Sequence, residues 1–158
     1  MQEQNVIHNT FVIERSYPVT AERVFSAVCD PAKKRRWILG GGGHEVEHFA
    51  MDFRTGGKEC ARVRLGAGTP VAGMVCTNDT FYQDIVPNRR IVYTSTMTLG
   101  EKRISVSLCT FEFLPAEAGT DLIFTHQAAF FEGADGPAMR EGGWRTLFER
   151  LTDEIKQA

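Results

Sequence analysis

The chain has 158 residues, 42% of them hydrophobic, enough for one ordinary domain that buries roughly 70% of its unfolded surface. Its 18 Lys and Arg against 20 Asp and Glu give a formal charge of -2; this excludes the broad basic field of a nucleic-acid or anionic-membrane binder and leaves a neutral or small-molecule partner as the expectation. Cys29, Cys60, Cys76 and Cys109 lie far apart without a CxxC pair, which fits reduced thiols better than disulfides or zinc ligands and makes the cytoplasm the expected compartment. The opening MQEQNVIHNTF lacks the basic-then-apolar pattern of a leader, and no stretch reaches the ~20 apolar residues that a membrane helix needs.

In chain order, His8 to Ser16 reads as a strand, with Phe11 and Ile13 alternating against Val12 and Glu14 until Tyr17-Pro18. Thr20 is a candidate N-cap for a helix carrying Val24, Phe25 and Val28 on one stripe. Asp30-Pro31 restarts the chain as a second short helix, expected to end near Trp37. After Gly40 to Gly43, six strand-like segments follow, at about 44–53, 58–65, 72–86, 90–98, 104–114 and 121–127, separated by turn signals. Their hairpin spacing implies an antiparallel meander of about seven strands with the first, enough to curve strongly. The period changes at 137–156, where Trp144, Leu147, Phe148, Leu151 and Ile155 form a helical stripe that must lie on the sheet. No repeat or linker divides the chain, so a single domain over 1–158 is expected.

Several strings along this order carry a resemblance. They are Pro18 with Val24-Phe25, Asp30-Pro31 with Trp37, Asp52-x-Arg54-x-Gly56-Gly57, Val86-Pro87 with Ile91-Val92-Tyr93-Thr94, Gly119-Thr120-x-Leu122 with Thr125-His126, and Gly143-Trp144-x-x-Leu147. Together the chain resembles the START-like (SRPBCC) superfamily and, within it, the family named after the activator of the heat-shock-protein-90 ATPase. The resemblance implies an α+β helix-grip fold, a curved sheet wrapped around a long C-terminal helix, with a cavity for a lipid-like, aromatic or polyketide-like molecule. It does not choose an activity, because carriers, cyclases and oxygenase domains share the fold.

Strand parity places Tyr93, Ser95 and Met97 inward on one strand, Phe111 and Phe113 on another, and Leu122, Phe124 and His126 on the last. Of Phe81 and Tyr82 only one can face inward, and Tyr82 is the expected one. Glu59 stands where the family pattern usually carries an aromatic or aliphatic residue. Facing inward it would be a polar anchor or a general acid or base with a raised pKa; a one-residue slip of register would put it in solvent. His126 has a similar pair of readings, a ligand contact and proton shuttle or a buried histidine satisfied by a neighbour. Trp37, Tyr93 and Trp144 are candidate cavity walls, with core packing as the alternative.

Gly40 to Gly43 has no Lys-Ser or Lys-Thr after it and reads as a rim of the cavity mouth, together with Phe130 to Gly136, not as a phosphate loop. His44 and His48 would share one face but have no third ligand nearby, and solvent-facing edge residues explain them without a metal. Lys33 to Arg36 reads as a solvated basic face. No nucleophile elbow, redox pair or nucleotide fingerprint is present, so no cofactor is assigned. The expected function is binding of a hydrophobic small molecule, through Trp37, Glu59, Tyr82, Tyr93, Met97, Phe111, His126 and Trp144. Rivals are a cyclase or lyase using His126 and Glu59, and a chaperone-interacting module. A homodimer through an open sheet edge is a further expectation.

Overall fold

The computed structural model describes residues 5–157. Residues 1–4 and 158, which belong to the expected domain span and in part to the leaderless reading, lie outside the described residues. The elements run β1 (Ile7–Tyr17), α1 (Ala21–Cys29), α2 (Pro31–Leu39), β2 (Glu45–Met51), β3 (Lys58–Arg64), β4 (Val75–Val86), β5 (Arg90–Leu99), β6 (Lys102–Ala116), β7 (Gly119–Phe130) and α3 (Pro137–Gln157).

Local chemistry sets the two short helices. The Thr20 hydroxyl accepts from the Arg23 amide at 3.3 Å, and the Asp30 carboxylate accepts from the Lys33 amide at 3.0 Å with Pro31 at the first helical position. α2 continues past Trp37 to Leu39, where the Gly40 amide still donates to the Arg36 carbonyl at 3.1 Å. β4 begins at Val75 instead of residue 72, because the Met74 amide closes a turn on the Val71 carbonyl.

The seven strands form one antiparallel sheet in the order β1-β7-β6-β5-β4-β3-β2. The meander from β2 to β7 is sequential, and β1 adds beside β7. With α3 lying across its concave side this is the helix-grip arrangement. One glycine is required by the tight β6–β7 connection: Gly119 has φ +150, and a Cβ there would collide with the Tyr17 carbonyl.

The apolar core occupies one half of the space between sheet and helix. Phe148, Leu151 and Ile155, from the C-terminal half of α3, are buried against Phe111, Phe113, Leu122 and Phe124. Aromatic rings bind this half together, with Phe111 and Phe124 4.7 Å apart and Phe124 and Phe148 5.5 Å apart. Under the N-terminal half of α3 the packing is looser, although the Trp144 ring centre still lies 4.4 Å from that of Phe124. There the helix offers Gly143 and the sheet offers Ala61, Thr80, Ser95 and Ser107, side chains too small to meet one another across the gap, and a cavity remains.

Candidate functional site

The cavity has a volume of about 480 Å³, within the range of sites that enclose small organic molecules. Its floor is a row of polar side chains fixed by sheet register. Glu59 pairs with Thr80, Thr80 with Ser95 and Ser95 with Ser107, so four adjacent strands present four polar groups to the same line. Thr80 Oγ1 donates to Ser95 Oγ at 3.2 Å. Above the floor, Met97, Trp144, Leu147 and Ile38 supply apolar surface.

At one side Glu59 is 6% exposed and paired. Lys34 Nζ lies 2.7 Å from Glu59 Oε1 and 3.3 Å from the Tyr82 hydroxyl, which donates to the same Oε1. Among the described residues, no donor reaches the other carboxylate oxygen. Burial, and then the neighbouring Glu59 charge, push the Tyr82 phenol far up from its ordinary value; burial does the same to Tyr93. Both phenols are therefore neutral hydrogen-bond donors at physiological pH. The Lys34 ammonium also sits 5.8 Å and 5.7 Å from the Tyr82 and Tyr93 ring centres, so both its charge and its protons are engaged.

His126, 1% exposed, stacks on Phe11 at 4.6 Å with rings 16° apart. Its Nδ1 is buried with no hydrogen-bond partner among the described residues. Burial, and then the Arg140 guanidinium, lower its pKa to about 4, so at neutral pH the imidazole is uncharged and offers one donor and one acceptor. Arg140, itself 6% exposed, spans from α3 to the sheet. Its Nε and Nη2 hold both oxygens of Asp135 at 2.7 and 2.8 Å, and Nη2 also reaches Ser105 Oγ at 2.9 Å and Met97 Sδ at 3.3 Å.

The family model described as Activator of Hsp90 ATPase homolog 1-like protein matches residues 18–156. The chain belongs to this family. Two solved structures support the assignment. A putative uncharacterized protein from Rhizobium leguminosarum is 35% identical, with a TM-score of 0.88 and 97% of each chain covered. The Mll3558 protein from Rhizobium loti is 44% identical, with a TM-score of 0.84 and coverage of 96% of this chain and 99% of that one. An AHSA1-like protein from Aeromonas hydrophila, 18% identical with a TM-score of 0.66 over 94% of this chain and 93% of that one, shares the fold. No curated protein matches the chain.

On this family fold, Glu59, Tyr93, Met97, His126 and Trp144 come together in the cavity wall. Three other candidates stand behind it. Trp37, 1% exposed, donates its indole N–H to the Ala27 carbonyl at 2.9 Å and locks α2 to α1. Tyr82 reaches the site only through its bond to Glu59, with Phe81 outward beneath Lys58. Phe111 belongs to the aromatic core. His44 and His48 do not share a face, because a bulge between Val46 and His48 shifts the β2 register; His44 turns into the cavity wall and His48 is exposed.

Lys34 departs from the solvated face expected of Lys33 to Arg36. It lies three and four residues before Trp37 and Ile38, on the inward side of α2, and is 5% exposed. Arg140 was missed on the sequence. Its position four residues before Trp144 continues the core-facing stripe of α3 and was the available signal. Asp135 and Arg150 also line the cavity, and neither has a comparable signature.

Proposed function

We propose that this protein binds an amphipathic small molecule in the chamber between sheet and α3. The apolar or aromatic body of the guest would rest on Met97, Trp144, Leu147 and Ile38, and its hydrogen-bonding groups would meet the floor. The observation that carries the reading is the 480 Å³ cavity with a buried, neutral His126 on its wall whose Nδ1 lacks a partner among the described residues. A buried polar atom without a protein partner, on the wall of such a cavity, gains from a guest that hydrogen-bonds to it.

The first test is native mass spectrometry of freshly purified protein, followed by extraction of bound molecules and a melting-temperature panel of aromatic and aliphatic ligands. A stoichiometric small molecule, or saturable stabilisation, supports binding. Bare protein that ignores the whole panel counts against it. The chaperone-interacting reading carried by the family's name predicts that second result, together with copurification of a large ATPase.

A second reading, acid–base catalysis in the same chamber, is favoured by the Glu59 carboxylate, both of whose hydrogen bonds land on Oε1. Glu59→Gln separates the two. A catalyst loses turnover of a bound substrate while still binding it, whereas a binder changes only in affinity.

A further inference from the structure

Five residues with ionisable acidic or strongly basic side chains line the chamber: Lys34, Arg140, Arg150, Glu59 and Asp135. Two of the three cations are matched, Lys34 by Glu59 and Arg140 by Asp135, each at 2.7 Å. Arg150 has no carboxylate partner among the described residues. Of the two acidic residues one helical turn on, Asp153 makes no ion pair with it, and Glu154 already gives both oxygens to Arg36 at 2.7 and 3.1 Å. The chamber wall thus carries one positive charge in excess, although the whole chain is formally negative.

The surroundings of Arg150 are shaped to leave its guanidinium in the cavity rim. It lies against bare Gly41, where a Cβ would stand 2.8 Å from Nε. Beside it, a Cβ on Gly42 would stand 2.7 Å from His44 Nε2. His44 Nδ1 accepts from the Gly66 amide at 3.0 Å, so the neutral ring carries its proton on Nε2. Two consecutive glycines therefore make room for two hydrogen-bond donors, both on residues that line the chamber. A guanidinium and an N–H together suit a planar anion such as a carboxylate.

We propose that the guest is a monoanion, an amphipathic carboxylic acid in its ionised form, whose carboxylate is held at the rim by Arg150 with His44 Nε2–H beside it. This rests on the binding reading above and names the class of ligand. Arg140 is not the anchor because its guanidinium already holds Asp135 through two bonds and Ser105 through a third.

The test is calorimetric titration at pH 7.5 with two matched pairs, octanoate against octanamide and 2-naphthoate against 2-naphthamide. The acid of at least one pair binds about tenfold or more tighter than its amide, the scale of one charge-assisted hydrogen bond. In Arg150→Gln that ratio falls to near one while amide affinity is kept, and Arg150→Lys restores part of it. Gly41→Ala, which pushes the guanidinium aside, lowers the ratio in the same way, and unchanged melting temperatures show that the fold is intact. Amides that bind as well as acids, a ratio that survives Arg150→Gln, or one that collapses only in Arg140→Gln would each overturn the assignment while leaving binding in place. If none of the four compounds binds, the failure lies with the binding reading itself and removes this one with it.

Discussion

Removing the ammonium of Lys34 strands a carboxylate. In Lys34→Met the stem that fills the space beside Tyr82 and Tyr93 is kept, but Glu59, 6% exposed, retains only the Tyr82 hydroxyl as donor. Breaking one side of such a buried pair costs about 3–5 kcal/mol. With a urea slope of about 2 kcal/mol/M this lowers the unfolding midpoint by roughly 2 M. Adding Glu59→Gln in the same chain removes the stranded charge while keeping an acceptor for Tyr82, and recovers more than half of the loss. Equilibrium urea unfolding followed by far-UV circular dichroism measures all three proteins. A Lys34→Met protein within about 1 kcal/mol of the parent, or a double variant no more stable than the single, would show that the pair does not hold this corner of the chamber as argued.

Two further outcomes follow from the same physics. His126 titrates at about 4 when folded, against 6.5 unfolded. Its contribution is therefore present above pH 6.5 and is lost as pH falls through that window, a change on the order of 3 kcal/mol; His126→Phe should lack this component, and superimposable pH–stability curves for the two proteins would contradict it. Gly119→Ala should cost about 1–3 kcal/mol, through positive φ and collision with Tyr17. Gly43→Ala, also at positive φ but with open space around its Cβ, should cost less, as thermal denaturation of the two variants will report.

The sheet and its facing were readable because period two is unambiguous in long strands. Tyr93, Ser95 and Met97 alternate with threonines on β5, and once Tyr82 is inward, Phe81 must be outward. The facing of Glu59 was left open by sequence, since a neutralising partner cannot be seen across 25 residues of chain; the pair with Lys34 is a product of tertiary geometry. The same holds for His48, whose outward turn depends on a bulge with no glycine or proline to announce it. Trp37 illustrates the opposite limit. Its neighbours in sequence suggested a cavity rim, but helical rotation carries its ring to the α1 side, where the Ala27 carbonyl needs a donor.

The hydroxyl row on the floor has a consequence for what can enter. Thr80, Ser95 and Ser107 present hydroxyls to the cavity, so a molecule that covers them must offer hydrogen-bond partners in return. A pure hydrocarbon returns nothing to those oxygens and is selected against, however well it fits the 480 Å³ chamber. A molecule with polar atoms that reach the Thr80–Ser95 hydroxyl pair, 3.2 Å apart, and Ser107 on the next strand can satisfy those oxygens. On the binding reading proposed above, the chamber would sort guests by the hydrogen bonds they offer as well as by shape.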